Sequence, residues 1–132
     1  MRRRFVKTFA FLIMAPVALS SPCAGDPIIG VWKTPPDRKD LVSHIEIRTC
    51  GNAFCARILR AYNSSGQQVQ TSNIGKELFW DVKPMGDGTY DGGTAQIPLI
   101  GKAKASMKMI GARLQVIGCK AGICDSQFWS RP

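Results

Sequence analysis

A chain of 132 residues, 45% hydrophobic and 20% charged, holds enough apolar material for one domain around one core. Its formal charge is +9, but Arg2, Arg3, Arg4 and Lys7 supply four of those charges near the start, and the rest are scattered among acids. No basic stripe with interleaved aromatics is present, so nucleic acid is not an expected partner; the charge leaves a mildly basic surface with weak attraction to anionic lipid or polysaccharide.

The four early cations precede an apolar run from Phe9 to Leu19, broken only by Pro16. That run is too short to cross a bilayer, which takes about 20 residues, so no membrane span is expected. Small residues follow, and residues 1–24 read as a cleaved secretory signal, cut after Ser20 or after Ala24. Pro22 before Cys23 is wrong for lipoprotein processing. Residues 25–132 are left as one exported domain, periplasmic or extracellular in a Gram-negative-type bacterium.

Export makes the cysteines legible, because disulfides persist in oxidising compartments. Cys50 and Cys55 bracket "CGNAFC", and Cys119 and Cys124 bracket "CKAGIC". Four cysteines allow three pairings, so local geometry has to choose among them. Structural zinc is the competing reading, but it favours tighter knuckles in reducing compartments.

Along the domain, alternation of apolar and polar residues predicts strands. The first strand is expected at Ile29–Lys33. In "HIEIRTC", Ile45, Ile47 and Thr49 share one face, and His44, Glu46, Arg48 and Cys50 the other; "CARILRAY" alternates in the same way. With Gly51–Phe54 as a loop, Cys50 would lie opposite Cys55 and Ile47 opposite Ile58. Asn63–Lys76 is polar and reads as the longest loop. Strands are expected at Glu77–Lys83, Thr89–Asp91 and Thr94–Ile97, with "PMGDGT" and "DGG" as turns. "MKMIGARLQV" folds back at Gly111-Ala112, setting Met109 opposite Leu114 and Met107 opposite Val116. The second bracket then sets Val116 opposite Gln127 and Leu114 opposite Trp129. Each cysteine pair thus staples the tip of a β-hairpin. Eight or nine short antiparallel strands predict an all-β fold, a small closed barrel whose closure removes exposed edges.

Nothing here predicts catalysis. His44, the lone histidine, falls outside the inferred core beside Arg48 and Cys50; Asp81, Asp87, Asp91 and Asp125 sit mostly in turns. No His-rich metal motif, phosphate loop or nucleophile elbow is found, and oxidised cysteines offer no thiolate. No catalytic residue, metal or cofactor is therefore expected. The inner face is apolar at Ile45, Ile47, Ile58, Met107, Met109, Leu114 and Val116, with Arg60, Tyr62 and Gln127 as polar exceptions. Apolar walls with few polar groups suit a ligand pocket, which makes Arg60, Tyr62, Met107, Met109 and Gln127 the expected ligand-binding set. The expected function is non-enzymatic binding of a small apolar or amphipathic, lipid-like molecule. The alternative is an envelope interaction module with a filled barrel, meeting a partner through its outer face or the Asn63–Lys76 loop; no oligomeric state is implied.

Gly30-Val31-Trp32 opens the first strand and Trp129-Ser130-Arg131 closes the last. Together they resemble the calycin signature of lipocalin-type barrels, which implies that Trp32 plugs one barrel end, that Arg131 lies across its ring, and that Trp129 is structural. The resemblance extends from "GVWKT" through "IEIRTCGNAFCARI" and "IGKELFWDVKPMGDGTYDGG" to "MKMIGARLQVIGCKAGICDSQFWSR". On those residues the chain resembles the exported bacterial family known as domain of unknown function 2147, which implies a lipocalin-like barrel and carries no activity with it. Where that family often has Asp before a proline, this chain has Ile97 before Pro98; where it often has Tyr, Ala103 and Lys104 stand. Any site built on those residues would be missing here.

Overall fold

The computed structural model describes residues 10–15 and 25–132. The cationic start, both expected cleavage points and Cys23 lie outside the described residues. Nine strands follow one another: β1 (Gly30–Lys33), β2 (Val42–Cys50), β3 (Ala53–Tyr62), β4 (Gln68–Val69), β5 (Glu77–Pro84), β6 (Thr89–Ile97), β7 (Gly101–Ile110), β8 (Arg113–Lys120) and β9 (Ile123–Trp129). Among the described residues there is no helix.

All pairings are antiparallel, in the order β1-β2-β3-β5-β6-β7-β8-β9, with β4 folded back on β3. The sheet curls until its two edges meet at one place. Lys33 N–H donates to the Ser130 carbonyl at 2.7 Å, and Ser130 N–H donates back at 3.1 Å. The β2–β3, β5–β6 and β7–β8 turns gather at one end with residues 25–29; the β3–β5 connection and the β6–β7 and β8–β9 turns surround the other, the mouth.

The inner face is packed with side chains toward the plug end, whereas on β9 the inner-face positions Ile123, Asp125 and Gln127 are exposed. Trp32, Trp129, Phe79, Ile45, Ile47, Met107, Leu114 and Val82 are fully buried, with Phe54 and Tyr90 edge to face beside them. Burying side chains of this size stabilises by about 1.5–3 kcal/mol each, which holds the barrel together.

Strands β7, β8 and β9 have the expected register: Met107 pairs with Val116, Met109 with Leu114, Val116 with Gln127, and Leu114 with Trp129. Cys119 lies opposite Cys124 and is bonded to it. The first hairpin differs. Its turn is the two residues Gly51-Asn52, so Cys50 pairs with Ala53, and Cys55 faces Arg48. The Cys50–Cys55 disulfide therefore runs diagonally across the ladder, with Cα atoms 5.9 Å apart. Ile47 meets Ala56 and Ile45 meets Ile58. Against the expected pairing this is a slip of two residues as far as Ile58, which keeps the side chains of that stretch on their faces; a slip of one would have turned the core outward.

Two further expectations are corrected. Thr89–Ile97 is one continuous strand, and "DGG" is a bulge within it: Asp91 and Gly92 interrupt the register between Tyr90–Met107 and Gly93–Ala105. The Asn63–Lys76 loop opens with a tight turn rather than running free. Asn63 Oδ1 accepts from the amides of Ser65 and Gln67 at 3.0 and 2.9 Å, which returns Gln68 and Val69 to pair with Tyr62 and Ala61.

Candidate functional site

The end opposite the mouth is sealed by the two chain ends of the domain. Gly30 has a φ of 118°, and a Cβ there would stand 3.0 Å from Arg131 Nη1, so a side chain is both conformationally strained and sterically opposed. The space goes to the Arg131 guanidinium, 3.9 Å from the centroid of the Trp32 ring. It donates to the carbonyls of Val31 (3.0 Å), Pro27 (2.7 Å) and Ile29 (3.1 Å). Trp32 Nε1 donates to the Ile28 carbonyl at 2.8 Å, and Asp26 accepts both the Tyr90 hydroxyl and the Ile28 amide. Burial and the neighbouring Asp26 carboxylate push the Tyr90 phenol well above its ordinary pKa. All of these contacts belong to the plug.

A concave site lies instead on the outer face, beside the closure of the sheet. One residue of β3 is extra between Ile45–Ile58 and His44–Arg60. This bulge at Leu59 brings Ala61 inward, 2% exposed, and turns Arg60 and Tyr62 outward, away from the inner face on which alternation had set them. Tyr62 meets the His44 ring at a centroid distance of 4.7 Å. Together with Val42, Lys33 and the Pro36–Asp40 corner they bound a cleft of about 540 Å³, completed by the Asn63–Gly66 turn. The corner is firm: Asp37 Oδ1 accepts from the amides of Lys39 and Leu41 at 2.8 and 3.0 Å.

The cleft is lined by one cation, Lys33, and one acid, Asp40, with Arg60 next to His44. Burial, then the charges of Arg60 and Lys33, lowers the pKa of His44, so the ring is neutral at pH 7. Arg60 Nε is buried and makes no hydrogen bond to any described residue. A guanidinium atom held so carries a desolvation cost that an acidic group would offset. Asp40 is the acid on the rim.

The expected ligand-binding residues do not all meet. Tyr62 lines this cleft, and Arg60 is the ladder partner of His44 behind it. Met107 is a core residue, 1% exposed, and Met109 packs partly against the same core. Gln127 is exposed on β9, where its Oε1 accepts from Trp129 Nε1 at 2.8 Å. His44, assigned to plain surface, is the residue sequence reasoning undervalued; its neighbours come from three segments, and only the bulge brings them together. A second cleft of about 440 Å³ lies at the mouth between Ile58, Lys76, Glu77, Ile97 and Leu99. Among the described residues, no three His, Cys, Asp or Glu side chains are grouped so as to hold a metal ion.

The fold is similar to that of a solved protein described as "Protein HP1028 from the human pathogen Helicobacter pylori belongs to the lipocalin family". The TM-score is 0.61 at 16% identity, over 80% of this chain and 82% of the other, a likeness of fold. No curated protein matches the chain. Residues 30–131 match the model of a family described as "Uncharacterized protein conserved in bacteria (DUF2147)", and with the strands, plug and cysteine pairs of that whole span in place, the chain belongs to this family.

Proposed function

We propose that the protein is an exported, non-enzymatic, lipocalin-like binding protein that takes one small amphipathic acid, fatty-acid-like in character, on its outer face rather than in a lumen. The cleft at His44 and Tyr62 carries the reading. Its volume of about 540 Å³ falls in the range of small-ligand sites, about 300–1,000 Å³. Val42, Pro36 and Tyr62 offer an apolar wall, while Lys33, Arg60 and His44 offer cationic and hydrogen-bonding groups for a carboxylate. The two disulfides support an oxidising compartment such as the periplasm. The core of Trp32, Phe79, Met107, Leu114 and Trp129 takes up the plug end of the inner face, which directs the proposal to the outer wall.

Native mass spectrometry of protein recovered from the periplasm, followed by thermal-shift screening of aliphatic and aromatic carboxylates, tests this. An acid that stabilises the wild type and fails to stabilise the Arg60→Ala and His44→Ala variants is the expected result. No shift from any acid, with a single protein-only mass, overturns it. The tightly packed core at the plug end also supports a second reading, an interaction module with no small ligand; crosslinking in cells that traps one discrete partner through the Tyr62 face would select it.

A further inference from the structure

Within residues 25–132, four large apolar side chains are more than half exposed: Met85 (61%), Leu99 (103%), Ile100 (55%) and Ile123 (77%). Three of them are at the mouth. Leu99 and Ile100 form the β6–β7 turn, and Ile123 begins β9 opposite Lys120, whose Nζ donates to the Ile100 carbonyl at 2.7 Å. Leu99 has a φ of 68°, a conformation that opposes a branched apolar residue and suits Asn or Gly. The turn therefore carries an unfavourable backbone in order to hold a leucine in full contact with solvent.

The surroundings of this tip are cationic. Lys120 is hydrogen-bonded to it, Lys102 follows it on β7, and Lys76 lines the adjoining cleft. Of the acids nearby, Glu77 is ion-paired with Arg48, and Asp125 lies two residues beyond Ile123. An apolar point ringed by lysines is complementary to an anionic bilayer surface, where aliphatic side chains enter the headgroup boundary and lysines meet lipid charge.

We propose that the Ile97–Gly101 turn, with Ile123, seats the mouth of the barrel on an anionic membrane surface without spanning it. Each lysine close to such a surface strengthens binding about fivefold, so the attachment is reversible and weakened by salt.

The test measures partitioning of the exported protein onto extruded vesicles of phosphatidylglycerol and phosphatidylethanolamine, or of phosphatidylcholine alone. Position-specific readouts are needed because Met85, at the other end of the barrel, is also apolar and exposed. The emission of Leu99→Trp, read as a difference from the wild-type tryptophan emission, is expected to shift to the blue on the anionic vesicles only. Leu99→Asn, which suits the left-handed backbone, is expected to lower anionic partitioning about tenfold while leaving the unfolding midpoint unchanged or raised. Lys102→Ala and Lys120→Ala are each expected to lower it about fivefold. An unshifted difference emission from the Leu99→Trp variant, equal partitioning of Leu99→Asn and wild type, or equal partitioning onto phosphatidylcholine overturns the proposal. So does lipid-free self-association that Leu99→Asn abolishes, which would assign the tip to a second copy of the chain.

Discussion

Removing the guanidinium of Arg131 tests how much of the barrel depends on its plug. In Arg131→Ala, three carbonyls lose a charged donor, and the Trp32 face loses its cation. A hydrogen bond to a charged group contributes about 1.5–3 kcal/mol when buried, but Arg131 is largely exposed, and water can reach part of what it leaves. Counting the three bonds at a fraction of that value and the ring contact at about 0.5–1 kcal/mol gives a cost of about 2–4 kcal/mol. For a domain of this size each kcal/mol moves Tm by about 4–8 °C, so a fall of about 10–25 °C is expected in thermal unfolding, with a matching shift in urea.

The same contact makes a prediction about Gly30. Gly30→Ala meets two penalties, the positive φ and the 3.0 Å approach to Arg131 Nη1, for about 2 kcal/mol together. In the Arg131→Ala background only the backbone penalty persists, about 1 kcal/mol. The double variant should therefore be more stable than the sum of the singles predicts, by about 1 kcal/mol or more. Strict additivity, or an Arg131→Ala cost below about 0.5 kcal/mol, would refute the view that Gly30, Trp32 and Arg131 act as one unit.

Three more outcomes follow from the same structure. Closing either short cysteine loop contributes about 2 kcal/mol; each pair has one exposed cysteine, Cys50 and Cys124, but the partner Cys55 is 2% exposed whereas Cys119 is half-buried, so mild reductant followed by alkylation and peptide mapping should open Cys119–Cys124 first. Tyr90 holds its proton more tightly in the folded state than its ordinary pKa of 10.0 allows. Above pH 10 the unfolded chain loses that proton first, so stability is fully present below pH 10 and falls above it. Tyr90→Phe should flatten that alkaline limb in urea titrations, and an unchanged limb would exclude the assignment. Gly93 faces Val82 so closely that an added Cβ would lie 2.2 Å from Val82 Cγ2; Gly93→Ala should cost about 1–3 kcal/mol, and Val82→Ala in the same chain should relieve part of it, as equilibrium unfolding would show.

How much of this was legible depended on whether the signal was local. The β7–β8 and β8–β9 registers could be counted because each turn is two residues long and carries a glycine, Gly111 or Gly122, at positive φ. Counting fails at the first hairpin because it sets the cysteines face to face, whereas a disulfide also spans a diagonal pair; the real turn, Gly51-Asn52, carries the same glycine signal. As far as Ile58 the faces survive the error because it is an even number of residues. The "DGG" stretch has the composition of a turn, yet Asp91 and Gly92 only bulge, since the strand continues to pair on both sides.

The candidate site was hidden for a different reason. Alternation sets Arg60 and Tyr62 with Ile58 on the inner face, and nothing between them announces the extra residue, for Leu59 has neither the backbone freedom of glycine nor the ring of proline. What forces the bulge is tertiary: Ala61 is small enough to be drawn inward opposite Ser43, while an inward Arg60 would have put a guanidinium among Ile45, Ile58 and Phe79. Burying an unpaired charge there costs several kcal/mol, far more than one irregular residue in a ladder. The barrel therefore displaces two of its polar exceptions, Arg60 and Tyr62, to the outer wall, and Tyr62, with the loops it meets, bounds the cleft there. With the plug end of the inner face taken up by the core, the outer wall and the mouth are where the proposed ligand is to be sought.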